Sequence, residues 1–149
     1  MKININVDEN FDDLEIVINC KKLSSEVDKI IASLRVLEQK ITGKREGQTY
    51  ILDVGSILYI DTVDKKTFLY TADCVYETPL RLYELEERLL GQDFFRVGKS
   101  CILNFNLIKA LKADLDGRLI VTMANGEQVM VSRQYAVEIK KKLGGIKND

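Results

Sequence analysis

Apolar and polar residues alternate twice near the start of the chain, at Ile3, Ile5 and Val7 and again at Leu14, Ile16 and Ile18, the period of strands with one buried face. An acidic turn, Asp8-Glu9-Asn10-Phe11-Asp12-Asp13, separates them. The period then lengthens. Val27, Ile30, Ile31, Leu34, Leu37 and Ile41 fall on one stripe of a helix that Ser24 or Ser25 can cap and Gly43 can stop. Residues 1–43 therefore read as a β-β-α unit, too small to bury much surface unless it packs on the rest of the chain or on a second copy.

The polar stretch Gly43-Lys44-Arg45-Glu46-Gly47 marks the expected boundary between residues 1–43 and 44–149. Beyond it the pattern predicts short strands near Thr49–Leu52, Ile57–Ile60, Thr67–Tyr70 and Val75–Glu77, with turns at Gly55, Asp64 and Asp73. Thr78-Pro79 offers an N-cap followed by proline at the first helical position, and Leu82, Leu85 and Leu89 form a buried stripe that ends at Gly91. Phe94-Phe95-Arg96-Val97 and Cys101-Ile102-Leu103 then flank a polar turn, Gly98-Lys99-Ser100. Asp116-Gly117 and Asn125-Gly126 tolerate the positive φ of tight turns and frame strands at Ile108–Ala113, Arg118–Met123 and Glu127–Val131. A final helix from about Gln134 to Leu143 buries either Val137 and Ile139 or Tyr135 and Leu143, exposes Lys140-Lys141-Lys142 and stops at Gly144-Gly145.

Composition narrows the chemistry. The 149 residues suffice for one core, or one core with a small appendage. No apolar run approaches the ~18 residues needed to cross a bilayer. The N-terminus also lacks the apolar core of a signal peptide, so a cytoplasmic protein is expected. Cys20, Cys74 and Cys101 are far apart, with no Cys-x-x-Cys pair and no histidine to complete a zinc site, and read as reduced packing residues. Without histidine the chain also lacks the commonest general base, which disfavours an enzyme. Gly98-Lys99-Ser100 ends like a phosphate-binding loop, but Asp93 stands where that motif needs glycine. Asp114-x-Asp116-Gly117 echoes a calcium loop but has Asn125 where glutamate belongs. Asp61, Asp64 and Glu77 read as solvated carboxylates near strand ends, and Phe94-Phe95 as core more than as a stacking platform for bases. No catalytic residue, metal, cofactor or small-molecule substrate is expected.

The net charge of -1 gives no overall cationic excess, so any nucleic-acid surface must come from local placement. The cations gather in loops: Lys65-Lys66 between two strands, Arg96 and Lys99 around a second turn, and Arg133 between the last strand and the last helix. Converging on one edge, they would suit phosphates and guanine edges.

Several separated blocks resemble the LytTR family. Ile57-Leu58-Tyr59-Ile60-Asp61, Lys65-Lys66-Thr67-Phe68-Leu69-Tyr70-Thr71 and Leu82-Tyr83-Glu84-Leu85-Glu86-Glu87-Arg88-Leu89 are similar to its first half. Phe94-Phe95-Arg96-Val97-Gly98-Lys99-Ser100, Cys101-Ile102-Leu103-Asn104, Gly117-Arg118-Leu119, Asn125-Gly126-Glu127 and Val131-Ser132-Arg133-Gln134-Tyr135 resemble its most recognisable signature, in order and at suitable spacing. The match spans about two thirds of the chain, and its agreement across blocks is far more specific than any single motif.

The resemblance implies an α+β fold, a mainly antiparallel β domain with small helices, here preceded by the β-β-α unit. It implies a bacterial transcription regulator that binds double-stranded DNA sequence-specifically, through loops inserted into successive major grooves. The DNA-facing positions it implies are Lys65, Lys66 and Thr67, then Arg96, Lys99 and Ser100, then Arg133 and Gln134. Arg133 is cast as the direct base reader, because its fork suits the O6 and N7 acceptors of guanine. Lys99 is a candidate for base or phosphate, while Lys65, Lys66, Arg96 and Ser100 are cast as phosphate contacts that set register. Residues 1–43 are too few for the receiver domain that many members carry. The expected partners are DNA, a second copy in a homodimer and, as for other short members, a membrane protein that restrains the regulator. The rival expectation is a protein-interaction module of the same fold without useful DNA affinity.

Overall fold

The computed structural model describes residues 1–144, without the side chains of residues 36–38. The expected stop at Gly145 lies outside the described residues. The chain divides into two compact units, Met1–Arg35 and Val36–Asp149.

In the first unit, residues 1–24 form no strand, and Ile3, Ile5, Val7, Leu14 and Ile16 are exposed. The two alternating runs thus depart from the expected β-β pair. A lone hairpin is marginal without a third strand or a helix on its face, and four carboxylates crowd the segment that would turn it. A local turn takes its place, in which the Asp8 carboxylate accepts from the Asn10 amide at 2.9 Å and the Asp8 carbonyl from the Phe11 amide at 3.2 Å. Helix α1 (Ser25–Glu38) follows, its first turn closed by the Asp28 amide on the Ser24 carbonyl at 3.1 Å. Glu26 and Asp28 in its first turn and Arg35 in its last oppose the helix dipole. Val27 is buried, and Ile30, Ile31 and Leu34 are half-buried.

Helix α1 ends before Ile41 and Gly43, which lie instead in strand β1 (Lys40–Arg45). The boundary expected at Gly43-Lys44 therefore falls inside a strand: Gly43 opposes Tyr50 and Lys44 opposes Thr49 of β2 (Gln48–Asp53). Gly43 is required by proximity and not by a helix stop, since a Cβ there would lie 2.6 Å from Tyr76 Cβ.

Strands β3 (Ile57–Val63), β4 (Lys66–Thr71), β5 (Val75–Thr78), β6 (Phe94–Arg96) and β7 (Cys101–Asn104) complete a seven-stranded sheet in the order β2-β1-β5-β4-β3-β7-β6, antiparallel in every pairing. Strands β8 (Ile108–Ala113), β9 (Leu119–Met123) and β10 (Gln128–Val131) form a second antiparallel sheet in the order β10-β9-β8. Helix α2 (Leu82–Arg88) starts later than Thr78-Pro79 suggests, because Thr78 is held in β5 opposite Thr67. The Arg81 carbonyl accepts the Leu85 amide at 3.1 Å, and the Glu84 carboxylate accepts the Arg81 amide at 3.3 Å.

Two apolar clusters cover the two faces of the large sheet. Ile57, Ile60, Leu69 and Ile102 meet Leu82 and Leu85 of α2 and Leu89 at its C-cap in the first. In the second, Leu58, Val97 and Leu103 meet Val121, Met123 and Val131 of the small sheet and Ala136 and Ile139 of helix α3 (Arg133–Lys142). Helix α3 buries neither expected pair as a pair: Ile139 is buried but Val137 is exposed, and Tyr135 is half-buried while Leu143 is exposed. The fold class is α+β and mainly antiparallel.

Candidate nucleic-acid interface

The pairing of β3 brings two cationic loops together. Asp61 opposes Phe68 on one side and Cys101 on the other, and the Thr62 amide donates to the Ser100 carbonyl at 2.9 Å. The β3–β4 turn and the loop from Val97 to Ser100 are therefore neighbours at one end of the sheet. The turn consists of Asp64 and Lys65, with φ of 51° and 67°, between the paired residues Val63 and Lys66. Such a primed turn normally takes Asn-Gly. A side chain in left-handed backbone costs roughly 1–2 kcal/mol relative to the right-handed conformation, so Lys65 occupies a place where glycine would be more stable. Lys65, Lys66, Lys99 and Ser100 are all exposed.

Arg96 behaves differently from its expected role as a phosphate contact. Its Nε donates to the Gly98 carbonyl at 2.9 Å, its Nη2 to the Lys99 carbonyl at 2.5 Å and its Nη1 to the Glu86 carboxylate at 2.9 Å. The guanidinium is turned into its own loop. Thr67 departs too: it is 4% exposed in β4, between Thr62 and Thr78.

Arg133 and Gln134 are exposed in the first turn of α3, at the end of the small sheet. A Cβ on Gly117, whose φ is +79°, would lie 3.1 Å from Arg133 Cγ, so this glycine leaves room for the arginine stem as well as making a turn. At the other end of that sheet, Ala124 and Asn125 line a cleft of about 450 Å³ with Gly55, Ser56, Ala72 and Asp73. No carboxylate pairs with Lys65, Lys66, Lys99 or Arg133 among the described residues.

Residues 47–144 match the model of the LytTr DNA-binding domain. The chain belongs to the LytTR family. A solved LytTr DNA-binding domain from Bacillus cereus superimposes with a TM-score of 0.68 at 31% identity, covering 71% of this chain and 97% of that one. Uncharacterized HTH-type transcriptional regulators of Staphylococcus aureus strains COL and MW2 are each 28% identical over 96% of this chain and 98% of their own length. LytTR is a family of DNA-binding domains and not of enzymes. No two helices of this LytTR chain are joined by a short turn among the described residues, since strands separate α1 from α2 and α2 from α3. Nor is any described helix long and apolar enough to cross a membrane.

Three residues in the blocks that resemble the family, Asn104, Tyr59 and Tyr70, serve the scaffold. Asn104 is 2% exposed, donates through Nδ2 to the Ile57 carbonyl at 2.9 Å and accepts the Asn106 amide at 3.0 Å. Tyr59 and Tyr70 stack at 4.2 Å, and the Tyr70 hydroxyl donates to Asp61 at 2.9 Å. Burial, then the bond to Asp61, pushes Tyr70 up to about 12. Burial, then Asp61, pushes the Cys101 thiol up to about 12 against the opposing pull of Arg96, so it stays protonated at neutral pH. Cys20, by contrast with the expected packing role, is exposed.

Burial raises Asp61 itself, and the hydrogen bond from Tyr70 only partly offsets this. A carboxyl raised in the folded state favours folding below its ordinary range and loses that contribution as pH rises through the raised value. Asp61→Asn keeps an acceptor for Tyr70 and removes the ionisation. Its denaturant midpoint should exceed that of the wild type at neutral pH, with the advantage gone near about pH 3. A variant less stable at both pH values would show that the charge supports the fold.

Proposed function

We propose that the chain is a cytoplasmic transcription regulator that reads double-stranded DNA sequence-specifically in the major groove with loops. The observation that carries this reading is Lys65, exposed at the tip of a turn whose backbone favours glycine and beside the loop of Lys99. Retaining a strained residue where function needs it is a common pattern. Lys65, Lys66, Lys99 and Ser100 contact phosphates and set register, while Arg133 and Gln134 at the start of α3 reach base edges. The transcription-regulator names of the Staphylococcus aureus relatives support the same reading.

The test combines selection of duplexes from a random pool with affinity measured across a salt series. Arg133→Ala should cost about 1–3 kcal/mol on the selected site and relax its base preference. Lys65→Gly should relieve the turn, weaken all duplexes alike and lower the slope of log affinity against log salt by roughly 1. Absence of any salt-sensitive complex of the wild type would favour an interaction module without DNA affinity.

The unit Met1–Arg35 is proposed as the contact of a homodimer. It carries Ile3, Ile5, Val7, Leu14 and Ile16 exposed and the half-buried Ile30, Ile31 and Leu34, more apolar surface than a solvated appendage needs. Two copies would engage neighbouring half-sites and gain avidity. Sedimentation should find a dimer, free or on a two-half-site duplex, and Leu34→Glu should give a monomer that still binds a half-site weakly. A wild type monomeric in both conditions would refute the dimer.

A further inference from the structure

We infer that Arg96 and Glu86 are positioning residues, which hold the loop from Gly98 to Ser100 so that the Lys99 and Ser100 amides form a phosphate seat beneath the Lys99 ammonium. This rests on the DNA-binding reading above. The loop joins β6 to β7, closed at its base by the Val97 amide on the Cys101 carbonyl at 3.0 Å and tied to β3 through the Ser100 carbonyl. Within it, two successive carbonyls, those of Gly98 and Lys99, turn to the Arg96 guanidinium.

That orientation fixes the other side of each peptide. No peptide bond of the described chain is cis, and in a trans peptide the N–H points opposite the C=O. The peptide from Gly98 to Lys99 and the peptide from Lys99 to Ser100 therefore aim their N–H groups away from the guanidinium, on a loop where Lys99 and Ser100 are exposed. Neither amide donates to a backbone acceptor of the described residues. Successive amides presented together form an anion-binding concavity, and a lysine above them adds charge.

Glu86 supplies the remaining constraint. It lies on α2, which contacts both strands of the hairpin, and its carboxylate accepts from Nη1 at 2.9 Å, a third anchor on the rigid guanidinium plane. Nε, Nη1 and Nη2 each donate one hydrogen bond inside the protein, which holds the guanidinium plane against its own loop, and its proposed action on DNA is through that loop. Glycine at 98, followed by lysine and serine, is thus a phosphate motif after all, on a hairpin and without the helix that a nucleotide-binding loop requires.

The two roles for Arg96 predict opposite signs at Glu86. Were Arg96 a direct phosphate contact, Glu86→Gln would free it, remove a negative charge near DNA and tighten binding. As a positioning pair, Glu86→Gln should instead loosen the amide seat and weaken binding roughly three- to tenfold, with the salt slope unchanged because no cation that neutralises a phosphate is removed. The measurement is anisotropy of the full chain, with Lys99→Ala as the reference for one lost phosphate contact, about 1 in slope. Arg96→Lys keeps the charge but loses the fork, and should weaken binding as Glu86→Gln does. Circular dichroism checks that both variants are folded, and either one suffices if the other is not. Unchanged or tighter binding by Glu86→Gln, or wild-type binding by Arg96→Lys, overturns the inference. A wild type with no salt-sensitive complex overturns the DNA-binding reading beneath it, a separate and recognisable failure.

Discussion

Strand β3 is pinned along both edges, by β4 and by β7, and buried on both faces, by α2 on one and by the small sheet on the other. The register of this strand fixes the position of everything proposed to meet DNA. Because Asp61 lies between Phe68 and Cys101, the turn after β3 and the loop before β7 emerge side by side, and a shift of one residue would exchange the faces of Ile60 and Asp61. Asn104 reinforces the arrangement from the other end, binding the Ile57 carbonyl where β3 begins. Such a scaffold suits reading by loops: the strands bear the packing, and the tips remain exposed.

Charge is organised on the same principle. A net charge of -1 offers no long-range attraction of the whole molecule to DNA. The exposed lysines of the turn and the loop concentrate positive charge locally; exposed Asp64 shares the turn with Lys65, while Asp61, one step back on β3, is half-buried and accepts the Tyr70 hydroxyl. Glu86, the one carboxylate paired to the loop cation, is used inward through Arg96.

Much of this was legible in the sequence. Short apolar and aromatic runs at Ile57–Ile60 and Thr67–Tyr70 between turn residues, and glycine in the turns at Gly117 and Gly126, report strands and tight turns directly, because burial and backbone sterics act locally. Other features depend on distant partners. Gly43 resembles a helix stop, yet it answers to the approach of Tyr76. Thr78 resembles an N-cap, yet the ladder with Thr67 claims it. Ile3, Ile5 and Val7 have the strand period, but period supplies no neighbouring strand. In the candidate interface, exposure of Lys65 and Lys99 followed from polarity and turn residues. The inward fork of Arg96 did not, since its partners are two carbonyls and a glutamate on another element.

The central claim, that the end of the sheet carrying the β3–β4 turn meets DNA, is tested most directly by amide chemical shifts of the full chain titrated with its selected duplex. Perturbations should concentrate at Asp64 to Lys66, Gly98 to Ser100 and Ser132 to Gln134, and be small at Gly55, Ala72, Asp73 and Asn125 around the opposite cleft. The reverse distribution, or shifts spread evenly over both ends, would contradict it.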